Sequence, residues 1–155
     1  MINIAAPVKG SLEAPPRSFA ALMELYEVNY MYMRRLAPGL SEQLTTGAVV
    51  SVSRHGVELC LEILGGDRYT TTALLTHRFQ GADGGCETVP DLAVRIYLDA
   101  RLAEVMEVGG GGSRCASGGL VERWAENRFL NRWLRFSLGE GHSFAYGVIN
   151  QQIGA

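Results

Sequence analysis

In the run LAVRIYLDA, Arg95, Tyr97 and Asp99 recur at every second residue, against Leu92, Val94, Ile96 and Leu98 at the positions between. If the run is a strand, alternation sends the three polar side chains to one face together. Thr70 and Thr72 of RYTTT, in a second extended run, would share that face. The set then offers a cation, a phenol, a carboxylate and two hydroxyls, which is what a platform for a small polar ligand needs. The same residues also suit a solvated outer face whose cross-strand pairs contribute about 0.2–1 kcal/mol each. Both readings stay open at this level. With Leu102 and Met106 directed inward, Glu104 becomes a buried carboxylate in need of a partner, which Arg68 or Arg101 would supply. In an enzymatic version Arg95 holds an anion and Asp99 or Glu104 acts as acid and base.

Other chemistries find less support. The loop GGGGSRCASGG at 109–119 lacks the lysine of a Walker phosphate loop, and its glycines miss the G-x-G-x-x-G spacing because Arg114 or Cys115 falls at the sixth position. It reads as slack connector. His55, His77 and His142 sit in a turn, a strand and a tail, without the helical spacing that sets two ligands on one face, so no metal site is expected and each reads as structural or solvated. Cys60, Cys86 and Cys115 form no C-x-x-C pair and read as free thiols, Cys60 with a pKa raised by Glu58 and Glu62. There is no G-x-S-x-G elbow for a serine nucleophile. Asn29 and Asn127 lie within the apolar arcs of two helical runs, where buried amides must find hydrogen bonds, either to loops and each other or around a shared polar pocket.

The elements that position these residues follow from periodicity. Residues 1–16 carry no apolar period and read as a flexible arm. Ser18 is placed to cap a helix in which Phe19, Leu22, Met23, Tyr26, Tyr30 and Met33 form a stripe, ended by Pro38–Gly39. The period then changes to two. Ala48/Val50/Val52 and Val57/Leu59/Leu61/Ile63 flank a turn at His55–Gly56, which signals a hairpin. RYTTTALLTHRF is a strand whose buried face is ambiguous, and LAVRIYLDA and RLAEVMEV are an antiparallel pair. Residues 120–138 are helical again, with Leu120, Trp124, Leu130, Leu134 and Leu138 in one stripe broadened by Phe129, Trp133 and Phe136. The sum is an α+β fold: a two-layer domain over 17–141, with about five antiparallel strands and an N-terminal and a C-terminal helix on one face. The tail 142–155 is left as a short strand or a packed segment.

Composition sets the outer limits. Of 155 residues, 47% are hydrophobic and 19% charged, and the net charge is −2, with no cluster of Lys and Arg beyond pairs such as Arg34–Arg35. Nucleic acid is therefore not the expected partner. No run approaches the ~20 apolar residues of a membrane helix, and no export signal opens the chain, so a cytoplasmic location without membrane association is expected.

Four segments taken together, FAALMELYEVNYMYMRRLAP, RYTTTALL, PDLAVRIYLDARLAEVMEV and ENRFLNRWLRFSL, resemble the bacterial DUF1249 family, the YqiB-like proteins of unknown function, over roughly residues 18–141. The resemblance departs in two places. Family members carry a histidine in the run matched by Tyr97, Leu98, Asp99 and Ala100. They also carry a tyrosine-proline-asparagine motif where this chain has its glycine-rich loop, followed by an acidic-acidic-lysine triplet matched here as Val121, Glu122 and Arg123. Asn127, Phe129, Leu130, Trp133 and Leu134, which agree with the family, read as scaffold. With no nucleophile-base pair, metal set or phosphate loop in view, the expectation is a non-enzymatic module, without a cofactor, that binds a small molecule or a protein partner. The competing expectation is an enzyme or sensor acting on a nucleotide or phosphorylated metabolite.

Overall fold

The computed structural model describes residues 18–41, 47–80, 86–88, 91–108 and 119–144. The arm at 1–16, most of the glycine-rich loop and residues 145–155 of the tail lie outside the described residues. Ser18 caps the first helix, α1 (Phe19–Leu36): its Oγ accepts from the Ala21 amide at 3.2 Å. Leu22, Leu25, Tyr26, Asn29, Tyr30, Met33 and Leu36 are buried along one face, whereas Phe19, expected in the stripe, is exposed at the first turn. Pro38 cannot continue the helix and opens a short 3-10 turn, Pro38–Ser41.

Six strands follow among the described residues: β1 (Gly47–Val52), β2 (Glu58–Gly66), β3 (Thr70–Gln80), β4 (Cys86–Thr88), β5 (Leu92–Tyr97) and β6 (Leu102–Val108). They form one sheet in the order β1-β2-β3-β5-β6, every pair antiparallel, with short β4 paired to the end of β3. The β1–β2 turn is closed by Ser53, whose Oγ accepts from the amides of His55 and Val57, and Gly56 takes the left-handed conformation (φ 86°) that the turn requires. The last helix, α2 (Leu120–Gly139), starts with Glu122 folding back to accept from the Gly119 amide at 2.7 Å. Both helices cover one face of the sheet, giving the α+β architecture expected, and among the described residues no helix is long and apolar enough to cross a membrane.

The buried face is set by register. Leu59, Leu61 and Ile63 of β2, Ala73 and Leu75 of β3, Leu92, Val94 and Ile96 of β5, and Ala103 and Val105 of β6 line the core. Two strands differ from the alternation argument. In β1 it is Val49 and Ser51 that face inward, because they pair with Leu61 and Leu59; Val52 is exposed. In β6, Ala103 and Val105 point in, so Leu102, Glu104 and Met106 belong to the opposite face. α2 differs in part: Phe129 is exposed instead of broadening the buried stripe, while Phe136, also partly exposed, sets its ring edge-on to the buried His77 at 6.0 Å.

Candidate functional site

On the outer face, β5 lies between β3 and β6, and its register lays the polar residues out in two cross-strand rows. Thr72, Arg95 and Glu104 make one row, and Thr70, Tyr97 and Leu102 the next. The structure thus brings Thr70, Thr72, Arg95, Tyr97 and Glu104 together. Thr70 is placed by the β2–β3 turn, where Asp67 Oδ1 accepts from the Tyr69 and Thr70 amides at 3.0 Å each. The chain closes there so tightly that a Cβ on Gly66 would stand 2.3 Å from the Thr70 carbonyl oxygen.

Asp99 does not join them. β5 ends at Tyr97, the Leu98 amide donates to the Tyr69 carbonyl, and Asp99 falls in the exposed β5–β6 turn, where its Oδ1 accepts from Ala100 N at 2.9 Å. The turn residue Arg101 has a positive φ of 61°, which directs the chain back into β6.

Glu104 is half-buried on the outer face rather than within the core, and neither Arg68 nor Arg101 is its partner. Its Oε2 accepts from the Tyr97 hydroxyl at 2.7 Å. Burial pushes the Tyr97 phenol up, the bond to Glu104 adds to the rise, and the neighbouring Arg95 guanidinium opposes it. On the other side of Glu104 stand two residues that the sequence did not single out, Tyr26 of α1 and Arg123 of α2. The Tyr26 phenol is pushed up to about 12, first by burial and then by the Glu104 charge, with Arg123 opposing. The Tyr26 hydroxyl is buried without a hydrogen bond among the described residues, as is the indole nitrogen of Trp124 in the same apolar cluster. One carboxylate, two phenols and two guanidiniums are therefore gathered around the start of β6. Among the described residues neither Arg95 nor Arg123 is in a salt bridge.

The asparagines do a different job. Asn29 Nδ2 donates to the Asn127 carbonyl at 3.2 Å, and Asn131 Nδ2 donates to Asn29 Oδ1 at 3.1 Å. Asn127 Oδ1 accepts from the Val105 amide at 2.9 Å, and its Nδ2 donates to the Arg123 carbonyl at 2.8 Å. Every side-chain polar atom of the two buried amides Asn29 and Asn127 is hydrogen-bonded, joining helix to helix and helix to β6, with Asn127 Nδ2 bonded back within α2. The bond to Val105 satisfies an amide on that edge strand that would otherwise invite another strand.

At the opposite corner of the sheet, beneath the end of α2, lies a buried histidine pair. His77 of β3 and His142 sit with ring centroids 5.6 Å apart. The Trp133 indole N–H donates to His77 Nδ1, which fixes Nδ1 as the unprotonated nitrogen, and Ser137 Oγ lies 3.4 Å from Nε2. His142 Nδ1 is 3.0 Å from Ser51 Oγ, which also accepts from the Ser143 amide. Burial, with the neighbouring His142, drives His77 down to about 4, against the opposing Glu140 charge; burial also lowers His142. His55, in the β1–β2 turn, pairs with Glu140 at 3.0 Å on the surface. The segment that carries His142 is a packed one: Gly141 (φ 90°) closes α2, the His142 amide bonds back to the Ser137 carbonyl, and Phe144 is fully buried with its amide on the Leu36 carbonyl at 2.7 Å.

Cys60 is half-buried on the outer face of β2; burial pushes its thiol up, and Glu62 and Glu58 add to the rise against Arg78. The side chains of Cys86 and Cys115 lie outside the described residues. Among those described, no three His, Cys, Asp or Glu residues gather as a metal site.

A family profile described as "Protein of unknown function (DUF1249)" matches residues 32–143. The chain belongs to the DUF1249 family. Relatives of this DUF1249 chain include the "Uncharacterized protein YqiB" of Escherichia coli K12 and its counterpart in Escherichia coli O157:H7, each 29% identical over 140 residues that cover 79% of this chain and 90% of the relative. No solved structure gives a significant match. The matched segment contains Thr70, Thr72, Arg95, Tyr97, Glu104 and Arg123, while Tyr26 precedes it.

Proposed function

We propose that this DUF1249 chain is a non-enzymatic binding module that holds a small anionic molecule on the outer face of the sheet, at the β3–β5–β6 end. Arg95 supplies the cation, Thr70 and Thr72 supply hydroxyl donors in register beside it, and Tyr97 orders the guanidinium. With its proton committed to Glu104, the phenol oxygen turns its lone pairs toward the neighbouring arginine. The observation that supports this reading most is the absence of a salt bridge at Arg95 among the described residues, although Glu104 stands directly across the strand pair. An arginine oriented by a phenol keeps its forked donors for an incoming carboxylate or phosphate. The enzyme reading retains only Glu104 as an acid or base here, because Asp99 lies in the turn.

Thermal unfolding against inorganic phosphate, nucleotides, phosphorylated metabolites, simple carboxylates and divalent metals tests the proposal. A ligand at about 100 times its Kd adds ~2.7 kcal/mol and should raise the midpoint by roughly 5–10 °C. The shift should vanish in Arg95→Ala and shrink in Tyr97→Phe. An equal shift in both variants would remove the site from this face.

A further inference from the structure

We propose that the solvent face of the second half of α2 is a docking surface for an acidic, amphipathic segment of a partner protein. A surface helix ordinarily turns charged residues outward. Here the outward line runs Val121, Ala125, Phe129, Arg132 and Phe136, with Phe129 42% and Phe136 38% exposed. Trp133 extends this line. Its ring stacks on Phe129 with centroids 6.2 Å apart, while its N–H is held from within by His77. The aromatic surface is thus fixed in place before any partner arrives, which limits the ordering cost of binding.

Charge selects the occupant. Between Asn127 and Gly139 the helix carries Arg128, Arg132 and Arg135 and no acidic residue. Among the described residues none of the three is in a salt bridge; Arg135 donates to Asn131 Oδ1 at 3.4 Å. Aromatic side chains rimmed by arginine are the composition of protein interface centres. A second copy of the chain would set these arginines against one another. A nucleic acid would meet a molecule of net charge −2. A helix with leucines along one face and glutamates beside them satisfies both the rings and the cations.

The test titrates the full chain with a short synthetic helical peptide carrying leucine on one face and glutamate on the other, followed by calorimetry and Trp fluorescence. Parallel arms use the same peptide with lysine for glutamate, a single-stranded oligonucleotide and vesicles of anionic lipid. The acidic peptide should bind the native chain and lose at least about tenfold in affinity in the Phe129→Ser/Phe136→Ser double variant and, separately, in Arg132→Glu. Phe129 and Arg132 are solvent-exposed, whereas the Phe136 ring also lies edge-on to His77 at 6.0 Å, so Phe129→Ser alone, expected to leave circular dichroism unchanged and still to weaken binding, is run beside the double variant. Failure of the acidic peptide to bind, or equal binding by both variants, overturns the proposal. So does preferential binding of the lysine peptide, the oligonucleotide or the vesicles, or self-association that the double variant abolishes. Because Arg95 is untouched, these outcomes do not depend on the small-molecule site.

Discussion

At the corner where β1, β3 and the end of α2 meet, polar side chains turn toward one another: Ser51 to His142, Trp133 and Ser137 to His77, and the Phe144 amide to the end of α1. At the start of β6, Tyr97 meets Glu104 on the outer face, but on the helix side the Tyr26 hydroxyl and the Trp124 indole N–H make no hydrogen bond among the described residues, and Arg95 and Arg123 hold no salt bridge. Buried polar groups stabilise a fold when they are satisfied and cost free energy when they are not. The histidine corner leaves one buried ring atom, His142 Nε2, without a hydrogen bond among the described residues inside a web of satisfied partners, whereas the start of β6 leaves two buried donors unbonded and two guanidiniums outside any salt bridge. That contrast separates stability from binding in a way that substitutions can expose.

The largest effect is expected at the histidine corner. Phe144→Ala removes a fully buried ring and should cost roughly 3–5 kcal/mol in denaturant unfolding, with ligand-induced shifts at the Arg95 face preserved. Acid should reach the same corner next. His77 titrates at about 4 in the folded chain, below its ordinary 6.5, so between these values the unfolded state binds more protons. Stability from this group is complete above pH 6.5, falls as pH drops toward 4, and loses about 3 kcal/mol in all. His142 acts in the same direction, while Glu140 opposes both and His55 and Arg54 stand beside Glu140. Unfolding free energies across that window, with His77→Gln giving a shallower slope, check the assignment.

A smaller change follows from Ser51→Ala, which strips a partner from His142 Nδ1 and from the Ser143 amide and should cost about 1–2 kcal/mol. The smallest stability change belongs to the other region. Arg95→Ala should leave unfolding within about 0.5 kcal/mol of the native chain while removing anion binding. A stability loss at Arg95 as large as that at Ser51 would erase the distinction between the two regions.

Much of the scaffold was legible in the sequence. Ser18 and Pro38 mark the ends of α1, and β5 alternates cleanly because every second residue from Leu92 to Ile96 is aliphatic and fully buried. β1 misled because its inward row includes a serine: Ser51 is tolerated only through His142 and Ser143, some ninety residues away, and alternation counts apolar residues without seeing such partners. α2 misled for the converse reason, since aromatic residues on its outward face look the same in sequence as those facing a core. Of the candidate site, Thr70, Thr72, Arg95 and Tyr97 could be grouped by parity alone. Parity also grouped Asp99 with them, wrongly, because the Arg101 amide closes onto the Tyr97 carbonyl and turns the chain out of strand geometry before Asp99. Tyr26 and Arg123 reach Glu104 only through the packing of the helices against β6, and no local pattern carries that information.

The most direct test maps binding by residue. Amide chemical shifts of the labelled chain, followed while the best ligand from the anion panel is titrated in, should move at Thr70–Thr72, Arg95–Tyr97 and Glu104, and stay still at Ser51, His77 and His142. Shifts concentrated at the histidine corner, with the Arg95 row unchanged, would contradict the account.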